Sequence, residues 1–413
     1  MIDPAEKPSD QGEPDNQGEP MSGFRTRAIH IGSEVDQATG AVVAPLHFAT
    51  TFRQPGAGQW GQYDYSRSGN PTRTALQTTL ASLESEGATV CTGALAFSSG
   101  MAAIHAVTML LRSGDHVVAG TDIYGGAYRL LHQICDASGI TVTLVDLTDL
   151  DAVRSAIQLE TKLIWGETIG NPRMTIPDWR AIAAMAKERG ILTGVDNTFG
   201  TPVLMRPLAW GVDIVMHSAT KSLGGHSDCL GGTLAVSDKS LYDRLYFIQN
   251  ATGAVLDPMT CFLLSRGIKT LDLRVREQSK SAMKLATWLE SYPRVHSVLY
   301  PGLPSHPQFD LARRLFDRDL PDDRKSFGSM ITIELDGSLD EVKRVCEHTR
   351  LFHLAVSLGA VESLIEQPAT MSHASYAPAA RAAHGITDSL IRLSVGLENV
   401  EDLQEDLQRA FDA

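Results

Sequence analysis

The sequence has no excess of positive charge. It contains 36 lysines and arginines against 49 aspartates and glutamates, and its formal net charge is -13 at pH 7. Nucleic acids and anionic membrane surfaces favour basic partners, so this balance argues against both and favours small-molecule ligands. The length of 413 residues corresponds to roughly two to three domains, and 43% hydrophobic residues is ordinary for a globular protein with a large core.

Cysteine is scarce, and the cysteines form no pattern. The 5 thiols, at Cys91, Cys135, Cys229, Cys261 and Cys346, show neither a CxxC pair nor the spacing of metal ligands. Such a set is typical of a reducing compartment, where thiols stay free. We therefore expect no disulfide framework and no metal site.

Long apolar runs and two enzyme signatures are also missing. The segment from Met1 to Asp10 lacks the basic start and apolar centre of a signal peptide, and no later run is long and uncharged enough to span a bilayer, which predicts a cytoplasmic protein. No strand is followed by GxGxxG, and the glycine pairs after Leu223 and Leu230 have the wrong spacing, which argues against a nicotinamide-dependent dehydrogenase. The absence of a GxSxG elbow argues against a serine hydrolase.

The composition divides the chain into four segments. Residues 1–20 are rich in acid, proline and glycine and predict a disordered tail, because they cannot bury a core. The turn-rich residues 21–73 predict an arm that packs on a neighbouring subunit. Alternating helix-like and strand-like runs over 74–265, including a helix over Tyr128–Ser138, predict an α/β domain with a mostly parallel central sheet and helices on both faces. Residues 266–413 predict a smaller C-terminal α+β domain.

One lysine stands where a strand ends and a polar turn begins. Asp213 to His217 reads as a short apolar strand, and Lys221 follows it in the run DIVMHSATKSLGGHS. Ligands of open α/β sheets gather at the carboxyl ends of the strands. Ser218 and Thr220 place hydroxyl groups beside the amine. Lys221 is thus a candidate Schiff-base lysine, although a lone lysine after a strand is more often a solvated surface charge.

Other segments supply the groups that a pyridoxal phosphate site needs. Such a site requires a carboxylate for the ring nitrogen, a cradle for the phosphate and a flat ring against the cofactor. The candidates are Asp196 at the end of a buried strand, Gly100 and Met101 at the start of an apolar helix, Tyr65 and Arg67 in a polar turn, and Tyr124 after another strand. Each has an ordinary alternative as well: a turn residue, a capped helix, a surface loop and a core tyrosine.

Taken together, these segments resemble the Cys/Met metabolism family of pyridoxal-phosphate enzymes, which includes cystathionine γ-lyase, cystathionine γ-synthase, methionine γ-lyase and the homoserine-ester sulfhydrylases. The motifs stand in the family's order from Phe24 to the C-terminus: YSRSGNPTR, SSGMAA, YGG, GNP, VDNTF, HSATK, GGHSD, YPGLPSHP, SLG, ESLIEQPATMSH and RLSVGLE. The resemblance implies pyridoxal 5'-phosphate as cofactor and fold type I of the PLP-dependent transferases, which is aspartate-aminotransferase-like. It also implies a homo-oligomer, in which dimers with shared active sites form a tetramer.

The same resemblance implies a role for each candidate. Lys221 would hold the cofactor covalently and act as the base, and Tyr124 would stack on the ring and take part in proton transfer. Arg392 would clamp the substrate α-carboxylate, supported by Ser357. The remaining cofactor contacts would be Gly100, Met101, Ser218 and Thr220 at the phosphate, Tyr65 and Arg67 at the phosphate from a neighbouring subunit, Asp196 at the pyridine nitrogen and Asn171 beside the phenolic oxygen. A non-catalytic scaffold of this fold would be expected to lack Lys221 or Arg392, and both are present.

Departures from the family pattern bear on the substrate. Ser222 replaces a usually aromatic residue, which leaves the packing of the neighbouring lysine open. Methionine γ-lyases commonly carry a cysteine after the stacking tyrosine, and here Tyr124 is followed by two glycines. Asp64 and Arg129 resemble polar pocket residues of the cystathionine enzymes. Against this, Val356 stands where those enzymes typically carry glutamate.

The expected reaction is therefore α,γ-elimination of cystathionine to cysteine, 2-oxobutyrate and ammonia. Cystathionine γ-synthase is the alternative, followed by methionine γ-lyase and O-acylhomoserine sulfhydrylase. These enzymes use the same cofactor machinery, and the choice among them depends on the shape of the pocket.

Overall fold

The computed structural model describes residues 23–413 except 88, 318–319, 322–323, 375, 377–380 and 382–383. The predicted tail, residues 1–20, lies outside the described residues. Within the described part of the chain, two sheets are flanked by helices. No helix in this part is both long and apolar enough to cross a membrane.

The larger sheet belongs to the first two thirds of the chain. Its strands are β1 (Gly93–Phe97), β2 (His116–Gly120), β3 (Thr141–Val145), β4 (Thr161–Glu167), β5 (Leu192–Asp196), β6 (Ile214–Ser218) and β7 (Gly232–Val236), in the spatial order β1-β7-β6-β5-β4-β2-β3. Among these described strands, β7 alone runs in the direction opposite to the other six. The strands are short and strongly apolar because helices cover both faces, as in other parallel sheets. This confirms the predicted mostly parallel sheet.

The helices of this region are α1 (Phe24–His30), α2 (Pro71–Glu84), α3 (Gly100–Thr108), α4 (Gly125–Arg129), α5 (Leu150–Ala156), α6 (Trp179–Lys187), α7 (Thr201–Leu204), α8 (Lys239–Thr252) and α9 (Pro258–Ile268), with a 3-10 turn at Pro207–Trp210. Six of these described helices, α2, α3, α5, α6, α8 and α9, begin with a side-chain cap. Asn70 accepts from the amides of Thr72 and Arg73 and is followed by a proline at the first helical position, so α2 begins at Pro71, inside the segment predicted as an arm.

The predicted helix over Tyr128–Ser138 is wrong in its bounds. The structure begins α4 at Gly125 and continues it as a π-helix over Leu130–Cys135. The glycine at this start has a steric reason: a Cβ on Gly125 would lie 2.7 Å from the carbonyl oxygen of Ser372. Only glycine allows the backbone at position 125 to approach the Ser372 carbonyl this closely. Because glycine has a poor helix propensity, a prediction from propensity starts the helix after the two glycines, which is too late.

The smaller sheet lies in the last third of the chain. Its strands are β8 (Val295–Leu299), β9 (Met330–Leu335), β10 (His353–Leu354), β11 (Leu364–Glu366) and β12 (Leu390–Ser394), in the order β10-β11-β12-β9-β8, and the helices are α10 (Leu271–Glu290), α11 (Phe309–Leu315), α12 (Leu339–His348) and α13 (Val400–Phe411). Apart from the short β10–β11 pair, the sheet is antiparallel. One apolar cluster includes Val195 of the larger sheet and Ile331 of the smaller. The domain boundary at 265/266, which falls inside α9, stays a prediction.

Candidate active site

A cavity of about 200 Å³ lies where the carboxyl ends of β4, β5 and β6 face the smaller sheet. Most of the residues singled out in the sequence line it: Gly100, Met101, Tyr124, Asn171, Asp196, Ser218, Thr220, Lys221, Val356, Ser357 and Arg392. These residues come from positions up to 292 apart in the chain, and the fold brings them to one place. The convergence of polar and ionisable groups in one cavity is the usual mark of an active site.

Lys221 projects into this cavity from the turn after β6. Its Nζ donates a hydrogen bond of 2.6 Å to Oγ of Ser357. Burial, together with the nearby Arg392, lowers the pKa of the Lys221 amine to about 8. An amine with this pKa can be neutral near physiological pH, which a nucleophile or a general base requires.

The turn that carries the lysine is packed against the smaller domain. A Cβ on Gly359, whose φ is +74°, would lie 2.4 Å from Oγ of Ser222 and 2.8 Å from its nitrogen. Nη1 of Arg274 donates to the carbonyl of Ser222 at 2.8 Å. A small residue at position 222 therefore leaves room for the Gly359 backbone. The turn packs against this backbone instead of through an aromatic side chain.

Two carboxylates end neighbouring strands at the floor of the cavity. Glu167 of β4 and Asp196 of β5 are paired in the parallel register, and both are buried. Asp196 accepts from the amide of Thr198 at 2.9 Å. Burial raises the pKa of the Asp196 carboxyl, while the Thr198 donors, His217 and Lys221 oppose the shift. Burial and the neighbouring Asp196 raise the pKa of Glu167 well above its usual value.

An anion site is built at the amino end of α3. Oγ of Ser99 caps the helix by accepting from the amide of Ala102 at 3.1 Å. The amides of Gly100 and Met101 precede the first bond within the helix and remain available for a ligand. A Cβ on Gly100 would lie 3.2 Å from Oγ of Ser218, so glycine lets the helix start approach the hydroxyl-bearing turn.

Arg392 of β12 is held by three neighbours. Its Nη1 donates to Oδ1 of Asn171 at 2.8 Å, and its Nη2 donates to the carbonyl of Ser357 at 3.0 Å. Glu366, its register partner on β11, forms an ion pair with Nη1 at 3.1 Å. Ser357 has φ of 116°, an unfavourable conformation for a non-glycine residue of the kind that clusters at functional sites. Ser357 thus contacts both Lys221 and Arg392.

Tyr124 lies between β2 and α4 at the side of the cavity. Its side chain is 40% exposed, and its amide donates to Oε1 of Glu167 at 2.6 Å. A Cβ on Gly126 would lie 2.3 Å from Cε1 of Tyr124. Gly126 therefore provides the space in which the Tyr124 ring lies.

Four predicted residues do not line the cavity of this chain. Tyr65 is 47% exposed, and Nη1 of Arg67 donates to Oδ1 of Asn250 at 3.0 Å on the outer face of α8. Asp64 accepts from the amide of Tyr65, and Arg129 ends α4. The roles of these residues stay predictions.

The cavity also contains polar residues that the sequence reasoning did not assign to the site, among them Glu167, Glu366 and Ser372. Glu167 ends the strand before Asp196 in the same way that Asp196 ends its own strand, and this parallel could have identified it. Glu366 and Ser372 belong to the ESLIEQPATMSH motif, but spacing alone does not indicate that Oγ of Ser372 donates to Oε1 of Glu366 at 2.7 Å.

Comparison with known proteins agrees with this geometry. The family model described as Cys/Met metabolism PLP-dependent enzyme matches residues 25–412. The chain belongs to this family. A cystathionine beta-lyase of Coxiella burnetii is 48% identical over 94% of this chain and 97% of its own length. The solved cystathionine gamma-lyase from Lactobacillus plantarum, complexed with L-serine, superposes with a TM-score of 0.89 at 43% identity, over 95% of this chain and 99% of its own.

A third relative names another reaction. The cystathionine gamma synthase from Xanthomonas oryzae pv. oryzae, solved with aminoacrylate and cysteine, has a TM-score of 0.89 at 40% identity, over 95% of this chain and 98% of its own. The fold is thus that of the type I PLP enzymes, as expected, and the cofactor of this Cys/Met metabolism enzyme is pyridoxal phosphate. The three relatives share a cofactor and differ in reaction.

The side chains in the cavity fit this cofactor. Lys221 offers a desolvated amine, Asp196 a buried carboxyl, and the amino end of α3 an anion site. When bound, pyridoxal phosphate withdraws electrons from the carbons of an amino acid joined to it. The protein has to supply binding, orientation and proton transfer, and the groups described above are of the types that these tasks need.

Proposed function

We propose that this enzyme cleaves the Cγ–S bond of cystathionine, so that cystathionine and water give cysteine, 2-oxobutyrate and ammonia. The solved Lactobacillus plantarum relative, a cystathionine gamma-lyase, supports the choice of the Cγ–S bond. The observation that carries the underlying cofactor-dependent chemistry is the shared contact at Ser357. This residue accepts from Nζ of Lys221 through its hydroxyl and from Nη2 of Arg392 through its carbonyl. The proton-transferring amine and the group suited to bind an α-carboxylate therefore lie side by side in one cavity.

The cofactor would be held by the residues at the strand ends. Lys221 would bind it covalently, and Asp196 would pair with its ring nitrogen, where its buried carboxyl meets a complementary charge. The phosphate contacts would be the amides of Gly100 and Met101 and the hydroxyls of Ser218 and Thr220. Asn171 would lie beside the phenolic oxygen, which its contact with Arg392 supports.

Arg392 would fix the substrate carboxylate. Its guanidinium can bind a carboxylate through two parallel bonds, and Glu366 and Asn171 hold it from behind. With the carboxylate fixed, the α-hydrogen comes within reach of the Lys221 amine, which accepts it. Tyr124, on the other side of the cavity, would assist in moving the further protons that γ-chemistry requires.

A cystathionine beta-lyase activity is the second candidate, and the 48% identity to the enzyme of that name from Coxiella burnetii favours it. Such an enzyme would give homocysteine, pyruvate and ammonia from the same substrate. The cystathionine gamma synthase among the solved relatives keeps γ-replacement of O-succinyl- or O-acetylhomoserine with cysteine as a third. The residues described so far serve all three reactions.

The site would be completed by a neighbouring subunit. Tyr65 and Arg67 lie outside the cavity of their own chain, on an exposed surface, and would contact the phosphate in the cavity of the partner. Enzymes of this family are usually oligomeric. A dimer is the smallest assembly that meets this requirement, and a tetramer of two such dimers is the expected form.

Val356 would bear on substrate choice. It is 59% exposed at the wall of the cavity and cannot form an ion pair with the distal ammonium of cystathionine. We expect Val356→Glu to raise kcat/KM for cystathionine relative to methionine by about tenfold, the size of one exposed charge contact or slightly more. An unchanged ratio would contradict a role for this position in selectivity.

Product analysis of the purified, cofactor-loaded enzyme tests the proposal. Cystathionine, methionine, and O-succinylhomoserine with cysteine are offered in parallel. Cysteine with 2-oxobutyrate as the fastest products supports the proposal. Homocysteine with pyruvate would replace it by the beta-lyase, and cystathionine formed from the ester would replace it by the synthase.

A further inference from the structure

Glu167 is a buried acid that the proposed chemistry leaves without a task. It ends β4, it is 6% exposed, and it lines the cavity. Its carbonyl oxygen accepts from Nε1 of the fully buried Trp179 at 2.9 Å, so the backbone at this strand end is fixed. The orientation of its carboxyl group is then set by what that group contacts.

The contact is with the main chain of Tyr124. Oε1 of Glu167 accepts from the Tyr124 amide at 2.6 Å. This amide precedes α4 and has no partner of its own within the helix, so the acid supplies the acceptor that the helix does not. One side chain at the floor of the cavity therefore holds the backbone of the residue whose ring stands at the wall.

The surrounding contacts leave the tyrosine segment little freedom. The ring of Tyr124 lies where a Cβ of Gly126 would be, and the same Cβ would lie 2.8 Å from Sδ of Met101. At Gly125, directly after Tyr124, a Cβ would lie 2.7 Å from the carbonyl oxygen of Ser372. The Glu167 bond adds a directional restraint to this closely packed segment.

The charge state of Glu167 is compatible with this task. Burial and the adjacent Asp196 raise its pKa, with Asp122 adding to the shift and Arg392 opposing it. Like charges on neighbouring strand ends do not ionise together easily, and the raised pKa favours the protonated form of Glu167. A neutral carboxylic acid still has a carbonyl oxygen that accepts from an amide.

We propose that Glu167 is a positioning residue that holds the Tyr124 ring in place through the Tyr124 amide. The consequence for turnover rests on the proposed function, in which Tyr124 takes part in proton transfer. The tether itself is a property of the protein and can be measured without substrate.

Hydrogen exchange at the Tyr124 amide tests the tether directly. Three variants are compared with the wild type: Glu167→Gln, which keeps an acceptor of the same length, Glu167→Ala, which removes it, and Glu188→Gln, an exposed control of the same chemistry. We expect exchange at this amide to rise about tenfold in Glu167→Ala and to stay within about twofold in the other two. Exchange in the peptide that carries β12 reports any general loss of stability.

A more conservative variant, Glu167→Asp, covers the case in which Glu167→Ala does not fold. This variant keeps a carboxyl group but moves it one methylene away from the Tyr124 amide. We therefore expect hydrogen exchange at this amide to be faster than in the wild type. Unchanged exchange in Glu167→Asp and Glu167→Ala, or equally fast exchange in Glu167→Gln, would overturn the tether.

Turnover then separates the tether from the role of the tyrosine. If both proposals hold, Glu167→Ala lowers kcat by about tenfold or more with little change in KM, and Glu167→Gln restores most of the loss. Tyr124→Phe, measured beside them, should also lower kcat. Faster exchange in Glu167→Ala with unchanged kcat would support the tether and overturn the proposed function of Tyr124.

Discussion

The cavity residues and the arm residues differ in what places them. Asp196 ends β5, Arg392 lies within β12 and Lys221 lies in the turn after β6. The sheets of their own chain set their positions, and all three face one cavity. Tyr65, in an isolated bridge with Thr51, and Arg67, in the turn that follows, lie outside the sheets and are exposed on the surface of the same chain. Both groups stand in equally specific sequence motifs. A motif thus identifies a functional residue without saying in which subunit it works.

The difference follows from where each group obtains its contacts. A strand-end residue is fixed by ladder hydrogen bonds and by burial, which depend only on one chain. An exposed arm residue gains a defined position from whatever covers it. The comparison therefore predicts that a substitution in the cavity impairs the active site of its own chain, while a substitution in the arm impairs the active site of the neighbouring subunit.

Replacing Lys221 should have the largest effect. We expect Lys221→Ala to lower kcat by about 10³-fold or more, because one change removes both the covalent holder of the cofactor and the general base. Lys162→Ala, at an exposed position of β4, is the control and should keep wild-type turnover. A loss of less than tenfold in Lys221→Ala would place the chemistry on another residue.

Replacing Arg392 should have the next largest effect, and mainly on binding. Arg392→Lys keeps a cation opposite Glu366 but cannot form two parallel bonds to a carboxylate. We expect KM for cystathionine to rise by about 10²-fold, which corresponds to the loss of one charge-assisted contact of about 2.7 kcal/mol. Arg112→Lys, on the exposed surface, serves as the control. An unchanged KM would rule out Arg392 as the carboxylate clamp.

The lowered pKa of Lys221 predicts how cofactor loading depends on pH. Only the neutral amine attacks the cofactor, and with a pKa of about 8 the neutral fraction rises from about one tenth at pH 7 to about nine tenths at pH 9. The rate at which apoprotein takes up pyridoxal phosphate should therefore rise about tenfold over this range and then level off. A rate that still rises tenfold per unit above pH 9 would show an ordinary, solvated lysine.

Mixed oligomers test the arm. Arg67→Ala should weaken cofactor binding, and Lys221→Ala should be inactive, but co-expression of the two should return about one quarter of wild-type activity. Half of the dimers are then mixed, and one of the two sites in each has both an intact lysine and an intact arginine. Arg67→Ala mixed with itself is the control. No recovery would show that Arg67 serves the cavity of its own chain.

Much of the fold and of the cofactor site was predictable, because the information is local. Alternating strand and helix runs predicted the mostly parallel sheet, and the resemblance to the family implied that Asp196 and Lys221 serve one cofactor site; both line one cavity. Contacts between distant segments were not predictable in the same way. The bond from Glu167 to the Tyr124 amide and the start of α4 at Gly125 depend on close approaches that no spacing rule encodes.

The central claim is that Lys221 holds the cofactor, and covalent mapping tests it most directly. The cofactor-loaded enzyme is reduced with borohydride, which fixes the cofactor permanently to the lysine that holds it, and is then digested and analysed by mass spectrometry. We expect the added mass on the peptide that contains Lys221, and no added mass in Lys221→Ala. The same mass on a peptide with another lysine would contradict the account.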